Sequence, residues 1–389
     1  MPICVAFGEP RQVRCTTLEE NEGTIALPGD TCPAWYVPNA DDAGYYRYAF
    51  EPADLERLAR RRFAPLTDAE RVGLLANAGA LVLAGELGAD RALALARAFP
   101  TDGRRATLEA LTDLFGLLHQ KVASDRDLPR LEALVRKALG PAHARLGWAP
   151  DALSPPRPKG ARPAPAFDPS DDETALSRVT LIEALATIGR DEAVLTEARR
   201  RANAFLSKQG PAQHPDNVAV ALRAAARRGD ASLWDAIARS LDDPNAGHAP
   251  HDRVALVTAL ASFEDSALVK RTLDRTLNEG VRLQDLRYVF PTLFSRRETA
   301  PAAFAWVRDN IDALTRRLPP TMLGGLAALV GSSCTETDRD ERRSFLAERL
   351  RGIEGSARPL SLAIDRANAC ISARSREGAR LSTALDKAK

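Results

Sequence analysis

Residues 35–47 read WYVPNADDAGYYR, and the hydrophobic pattern of the chain changes at this stretch. The segments before it alternate apolar and polar residues, which is the period of β-strands, whereas the segments after Glu51 repeat at helical spacing. Within the stretch, Pro38 and Asn39 indicate a turn, and Gly44 permits a close approach of the backbone. The stretch therefore marks the passage from a small β region to a large helical region.

The first 50 residues carry the strand signals. Short runs alternate apolar and polar residues and are separated by turns that contain glycine and proline. The expected strands lie at Ile3–Phe7, at Val13–Cys15, at Thr24–Leu27, at Trp35–Val37 and at Tyr45–Arg47. Such a small sheet leaves one face open to water unless a second sheet covers it. The sequence therefore predicts a partial β-sandwich domain over residues 1–50.

Beyond Glu51 the pattern predicts helices joined by short links. Pro52 suits the first turn of a helix, and Thr67 followed three residues later by Glu70 is the pattern of a capping box. Glycine or proline recurs roughly every 12–20 residues, as expected for a series of short antiparallel helices. Residues 51–389 are therefore predicted to form one helical domain.

A degenerate repeat lies within the helical region. The pattern Asp-x-small-aliphatic recurs, and each aspartate is expected to cap the following helix by accepting its free N–H groups. The repeats start at Asp90, Asp191, Asp230 and Asp265. The last three starts are 39 and 35 residues apart, which is the spacing of HEAT-like helix pairs. The predicted fold class is mainly α, a HEAT/armadillo-like α-solenoid of antiparallel helix pairs behind the small sheet. Chance recurrence of ordinary helix caps is the alternative.

Residues 149–172 interrupt the helical pattern. This segment contains seven prolines, a density that excludes helix and removes backbone N–H donors. It predicts a proline-rich internal loop that acts as an extended spacer. A motif that binds a partner is the alternative interpretation.

Composition argues against two classes of partner. The chain has 54 Lys and Arg and 52 Asp and Glu, so its net charge of +2 provides no polybasic field for nucleic acid or for a membrane surface. No apolar run approaches the about 18 residues that a membrane span needs. The N-terminal sequence MPICVAFGEP lacks the basic and apolar regions of a signal peptide.

The five cysteines fall into two groups. Cys4 and Cys15 flank a predicted hairpin and are close enough to form a disulfide, and Cys334 and Cys370 form a second candidate pair that leaves Cys32 unpaired. No CxxC pattern occurs, so a structural zinc site is not predicted. Paired cysteines favour an exported protein, bacterial periplasmic or lipid-anchored, over a cytoplasmic one. Five reduced thiols buried as small apolar side chains are the alternative.

No catalytic motif occurs in the sequence. HExxH, GxSxG, the P-loop and a convincing GxGxxG are all absent. His248 and His251 lie close together in GHAPH, but two histidines do not complete a zinc site, and a solvated loop is expected there. No residue is therefore assigned a catalytic or metal-binding role.

Several stretches resemble the M1-family zinc aminopeptidases. PNADDAGYYRYAF and LTDAERVGLLANAGALVLAGEL are similar to the family's passage from a β-sandwich to a helical C-terminal domain. Similarity to its helical repeats and penultimate helices is seen in LIEALATIGRDEAVLTEARRRANAFL, ARRGDASLWDAI, VRLQDLRYVF and FAWVRDNIDALTRRL. The resemblance spans almost the whole chain. Its nearest named piece is the C-terminal domain shared with endoplasmic-reticulum aminopeptidases.

This resemblance implies a non-catalytic role. The family holds zinc through HExxH and a distal glutamate, and recognises the substrate amino terminus through GxMEN, all in an upstream domain. None of these motifs exists here, so zinc and peptide hydrolysis are expected in an M1 catalytic domain on the same or a separate chain. The helical domain is expected to close over the catalytic cleft and to shape the access of peptide substrates. In some members of the family it senses the far end of the peptide.

The candidate peptide contacts are polar residues expected on a concave helical face. Arg282, Gln284 and Asp285 in VRLQD are assigned to that face, with turn and capping roles as the rival interpretation. Arg47 is a further candidate, with anchoring of the sheet to the first helices as its rival role. Two other functions stay open, a free-standing helical-repeat scaffold that binds peptides or proteins and a hydrolase with an unrecognised site.

Overall fold

A computed structural model describes residues 1–29, 31–101, 104–151, 172–208 and 213–388. The chain is mainly helical, with 67% of its residues in helices and one small antiparallel sheet at the N-terminus. Two compact units are present: unit 1 comprises Met1–Leu128 with Arg376–Lys389, and unit 2 comprises Pro129–Ser375. The predicted proline-rich loop, residues 149–172, lies almost entirely outside the described residues.

The sheet belongs to unit 1 and has the strand order β2-β1-β3. Its strands are β1 Pro2–Phe7, β2 Gln12–Thr17 and β3 Tyr36–Val37. Cys4 lies opposite Cys15 in the β1–β2 pair, and Ala6 lies opposite Val37 in the β1–β3 pair. The prediction of a small sheet before the helices is therefore confirmed.

Two of the predicted strands are wrong. Thr24–Leu27 forms no strand, because no neighbouring strand among the described residues takes up its backbone hydrogen bonds. The chain bends at Gly44–Tyr46 because Asn39 hydrogen-bonds the N–H and the C=O of Gly44, at 2.8 and 3.0 Å. Tyr46 Oη also donates to the carbonyl of Pro38 at 2.6 Å. A Cβ atom on Gly44 would collide with the Tyr46 ring and lie 2.9 Å from Asn39 Oδ1, so a larger residue here would displace both side chains.

Glu70 joins the stretch 35–47 to the first long helix. Its side chain is fully buried, and its carboxylate accepts hydrogen bonds from Arg11 Nη2 at 2.8 Å and from the backbone N–H groups of Asp41 and Thr67, both at 2.9 Å. Thr67 Oγ1 in turn accepts from Glu70 N at 3.3 Å. The predicted capping box is confirmed, and its carboxylate also holds an arginine beside the sheet.

The helices of unit 1 follow the sheet. They are α1 Pro52–Arg60, α2 Asp68–Ala84, α3 Ala89–Ala98 and α4 Arg105–Leu117, which continues as a π-helical turn at Leu118–Val122. α2 packs against α3 and α4, and its buried side chains include Leu74, Leu75 and Val82.

Unit 2 is a succession of helices, and the last of them ends in unit 1. They are α5 Leu128–Leu146, α6 Asp172–Thr187, α7 Glu192–Ser207, α8 Pro215–Arg227, α9 Ala231–Asp242, α10 Pro250–Leu260, α11 Ser266–Asp274, α12 Leu286–Phe294, α13 Ala300–Arg317, α14 Pro320–Leu323, α15 Ala328–Gly331, α16 Glu336–Arg349 and α17 Ala357–Lys387. α6, α8, α10 and α12 pack on one another in turn, while α7 packs on α9 and α11 on α13. The apolar faces of α6 (Leu181, Leu185) and α10 (Leu256, Leu260) are buried in this packing.

Aspartates begin three of these helices as predicted. Asp191 accepts a hydrogen bond from Val194 N at 3.0 Å, and Asp230 and Asp265 make the same bond to the third residue that follows them. Asp90 does not cap a helix, so that prediction is wrong. α3 starts at Ala89, one residue before Asp90. Gly88 is its N-cap, and Asp90 lies inside the first turn.

A buried ionic cluster lies between the helix ends of unit 2. The carboxylate of Glu264 contacts Arg190 Nη1 at 2.7 Å, Arg227 Nη1 at 3.5 Å and Arg296 Nη2. The side chains of the three arginines are only 9–13% exposed. Burial is the main cause that lowers the pKa of Arg227 to about 10, and the neighbouring Arg296 lowers it further. The Glu264 carboxylate thus forms ion pairs with three guanidinium groups that are largely shielded from solvent.

Two disulfides are present among the described residues. Cys4 and Cys15 are joined across β1 and β2 with their Cα atoms 4.0 Å apart, and Cys334 is joined to Cys370 with a Cα separation of 5.1 Å. Cys32 has a free, exposed thiol. The exported location that paired cysteines favour stays a prediction. No helix in the described part of the chain is long and apolar enough to cross a membrane.

Candidate functional site

A cleft in unit 2 contains the three candidate residues of VRLQD. It lies beside the 3₁₀ turn Leu283–Asp285 and has a volume of about 730 Å³. Its walls come from the end of α9, the loop that follows α9, the start of α10 and the start of α12. All of these elements belong to the same unit, so the cleft forms within it.

Asp285 lines the cleft and is buried. Its side chain is only 8% exposed, and Oδ2 accepts a hydrogen bond from Arg253 Nε at 3.2 Å. Although Asp285 precedes α12, its carboxylate makes no hydrogen bond to the N–H groups of that helix. It therefore fixes the start of α12 against α10 through an ion pair.

Arg282 and Gln284 line the cleft, and in the sequence they flank an exposed leucine, Leu283. Both side chains are exposed, and neither makes a hydrogen bond or an ion pair with any described residue. Leu283 between them is 41% exposed, which is unusual for a large apolar side chain. The turn thus presents a cationic group, an amide and an apolar group to solvent.

Arg287 and Tyr288 extend this surface along the first turn of α12. Arg287 Cζ lies 4.8 Å from the centroid of the Tyr288 ring, and Arg287 Nη2 donates to Tyr288 Oη at 2.8 Å. Arg287 is exposed and has no carboxylate partner among the described residues. Neither residue is among the candidates that the sequence indicates. The run LRYVF that follows VRLQD contains them, but helical periodicity alone does not show that they face a cleft.

The acidic residues around the cleft are all paired. Asp242 contacts Arg275 at 3.0 Å, Asp243 contacts Lys208 at 3.3 Å and Glu279 contacts Arg317 at 3.5 Å. A hydrogen bond from Asn245 N, together with Lys208, lowers the pKa of Asp243. Since Asp285 is paired with Arg253, the two cations left without a carboxylate are Arg282 and Arg287. The surface at the start of α12 is therefore suited to an anionic group.

The histidine pair beside the cleft is not a metal site. His248 is mostly buried, stacks on Phe205 with a centroid distance of 5.8 Å and places Nε2 2.9 Å from Ser240 Oγ. The expectation of a solvated loop is therefore wrong for His248, because this packing removes it from water. His251 is exposed and lies 3.4 Å from Asp252. No three His, Cys, Asp or Glu side chains in the described residues converge on one point. The residues present thus do not fit a zinc ion.

Arg47 belongs to unit 1. Its side chain is exposed, and its positive charge lowers the pKa of Asp42, although burial dominates and raises that pKa overall. The structure gives Arg47 no hydrogen bond to a described residue. Its assignment to peptide binding or to anchoring of the sheet stays a prediction.

The chain is a member of the ERAP1-like C-terminal domain family, whose profile matches residues 35–369. Its curated relatives are aminopeptidases. It is 26% identical to Aminopeptidase M1-A of Oryza sativa over 347 residues, 85% of this chain and 36% of that protein. It is 22% identical to Aminopeptidase 2 of Candida albicans, over 86% of this chain and 34% of that protein. The Alanine/arginine aminopeptidase of Saccharomyces cerevisiae is 23% identical over 94% of this chain and 40% of its own length.

These matches confirm the resemblance to the C-terminal region of M1 aminopeptidases. The chain spans about a third of the length of its first matched relatives. The similarity therefore concerns one region of longer proteins, and it assigns no catalytic residue to this chain.

Proposed function

We propose that this chain is the non-catalytic C-terminal portion of an M1 zinc metalloaminopeptidase, where it closes over the catalytic cleft and shapes the access of peptides. The family match over residues 35–369 and the names of the relatives support this proposal. HExxH and GxMEN do not occur in this sequence, and the proposal assigns zinc and catalysis to an M1 catalytic domain. The chain alone is expected to be inactive.

The proposed architecture is an α-solenoid over residues 51–389, behind a partial sandwich over residues 1–50. Long-range ion pairs support this architecture, because many of them join residues at similar separations in the sequence. Among the described residues, eleven ion pairs join positions 31–37 residues apart, and they include Arg199–Asp230, Arg275–Asp242 and Arg349–Asp312. In helical-repeat proteins, equivalent positions in consecutive helix pairs are separated by a similar number of residues.

The cleft is the observation that carries a peptide-binding role. A peptide has one group that is always anionic near neutral pH, its C-terminal carboxylate. Two unpaired guanidinium groups, one of them next to a tyrosine hydroxyl, can bind a carboxylate through charge-assisted hydrogen bonds. We therefore assign the far end of the peptide to Arg282 and Arg287, with Gln284 beside them.

Direct binding to the full chain tests the cleft. Fluorescently labelled decapeptides with a free carboxylate or a C-terminal amide are titrated by fluorescence polarisation. We expect the free acid to bind about tenfold more tightly, the effect of about 1.4 kcal/mol. The double variant Arg282→Gln/Arg287→Gln should abolish this preference, whereas Arg316→Gln, an exposed arginine on α13, should keep it. Equal binding of acid and amide to the wild-type chain would refute the assignment.

Activity with a catalytic partner tests the closing role. The full chain is added to an M1 catalytic polypeptide that carries HExxH but lacks its own C-terminal helical domain. The value of kcat/KM for a decapeptide should change, while kcat/KM for an aminoacyl-anilide reporter should change little, because the reporter does not extend beyond the catalytic site. Peptide binding without any effect on the partner would favour the free-standing scaffold instead.

A further inference from the structure

The outer strand of the sheet is open to solvent on both faces. All six residues of β2, Gln12–Thr17, are exposed, whereas β1 is partly covered and ends in two buried residues. In the order β2-β1-β3, strand β2 forms one edge of the sheet, and within the described ranges it pairs only with β1. Proteins normally shield such an edge, because its unpaired N–H and C=O groups attract another strand.

The register shows which backbone groups face outward. Met1 and Leu18 exchange two hydrogen bonds, N to O at 2.6 and 2.8 Å, so they form a hydrogen-bonded pair. Pairs alternate along an antiparallel ladder, which makes Cys4–Cys15 a non-hydrogen-bonded pair. The N–H and C=O groups of Val13, Cys15 and Thr17 therefore point away from β1. They offer three donor–acceptor pairs to an incoming strand.

The side chains of β2 define the strand that would fit. Arg14 is the one charged residue of β2, and it shares a face with Gln12 and Thr16. The opposite face carries Val13, which is 45% exposed, and Thr17. An incoming strand with an acidic residue near Arg14 and β-branched or apolar residues near Val13 would match both faces.

Exposed apolar side chains are also frequent in the N-terminal segment of unit 1. Six large apolar residues are exposed among the described residues, and three of them, Met1, Val13 and Tyr45, lie within the first 50 positions. Tyr45 is completely exposed. The sheet has three strands, one of them only two residues long, and so small a sheet gains stability from additional strands. Both observations indicate an interaction surface.

We propose that the β2 edge accepts an extended strand from an M1 catalytic polypeptide, by addition to the sheet. This inference rests on the proposed function and names the contact through which the catalytic partner is held. The family match begins at residue 35, so β1 and β2 come before the C-terminal domain and β3 lies inside it. The sheet thus straddles the start of that domain. In the relatives, the unmatched part of the protein is roughly twice as long as the matched part. That part can supply the strand.

A pair of substitutions at one position isolates the backbone contribution. Val13→Pro removes an outward N–H and no β1–β2 hydrogen bond, which an edge strand tolerates. Val13→Thr keeps that N–H and has nearly the same shape. Dissociation constants are measured by biolayer interferometry between the full-length variants and a purified M1 catalytic polypeptide without its own helical domain. Circular dichroism and thermal unfolding establish that both variants are folded.

We expect Val13→Pro to weaken binding at least about tenfold and Val13→Thr to change it less than about threefold. Equal affinities of both variants and the wild type would overturn the edge contact and leave the proposed function intact. No binding by the wild type would overturn the proposed function itself. A dimer of the free chain that Val13→Pro dissociates would assign the edge to a second copy and overturn the proposal.

Discussion

Replacing Glu264 by alanine removes the carboxylate that serves three buried arginines. Arg190, Arg227 and Arg296 converge on it, and no more than 13% of any of these side chains is exposed. Glu298 lies 3.8 Å from both Arg190 and Arg296, so it compensates part of the charge. In the variant, the 3.5 Å contact with Glu183 is the one ion pair that Arg227 keeps among the residues that the structure describes.

The expected loss follows from the cost of an uncompensated buried charge. Breaking a buried ion pair by removing one partner costs about 3–5 kcal/mol. Because Glu298 remains, we expect a value near the lower limit, about 3 kcal/mol. With a urea m-value of about 2–3 kcal/mol per molar, the unfolding midpoint of unit 2 should fall by about 1–1.5 M. The variant Glu264→Gln, which keeps the shape and removes the charge, should show more than half of this loss.

Tryptophan fluorescence is the appropriate assay because three of the four tryptophans, Trp148, Trp234 and Trp306, lie in unit 2. Glu341→Ala is the control, since its ion pair with Arg308 is half exposed on both sides. Such a pair contributes about 0–1 kcal/mol. If Glu264→Ala and Glu341→Ala shift the midpoint equally, the three arginines are solvated in solution and the argument from burial fails.

Three further outcomes are expected. Asp265→Ala should cost about 1 kcal/mol in urea unfolding, because its carboxylate caps α11 through Ala267 N and Leu268 N, both at 3.0 Å; no loss would contradict the cap. Thiol titration in denaturant without reductant should find one thiol, that of Cys32, and five thiols would exclude both disulfides. Burial lowers the pKa of His143, so the unfolded chain binds its proton at higher pH than the folded chain. The stability from neutral His143 is therefore present above about pH 6.5 and lost as the pH falls, and His143→Asn should flatten this part of the pH profile of unfolding.

Helix starts were predictable because their determinants are local. An aspartate or threonine reaches the N–H groups two or three residues later without help from the rest of the fold, as at Thr67, Asp191 and Asp230. Asp90 shows the limit of such a pattern. The same motif is present there, but α3 begins at Ala89, whose N–H donates to Glu377, a residue 288 positions away.

Strands were less predictable because a strand exists only with a partner. Thr24–Leu27 has the composition of a strand, yet no strand in the described structure pairs with it. At Tyr45–Arg47 the side chain of Asn39 satisfies the backbone of Gly44 and bends the chain. Composition alone does not distinguish that arrangement from a hairpin.

The cleft shows why the binding surface could be predicted only in part. VRLQD identifies a polar turn, but its charge depends on which neighbours are neutralised. Each neutralising partner comes from a distant point in the sequence, since Asp242 pairs with a residue 33 positions away and Arg253 with one 32 positions away. With 54 basic and 52 acidic residues in the chain, the net charge says nothing about which cations stay unpaired. The register between successive helices determines which cations stay unpaired.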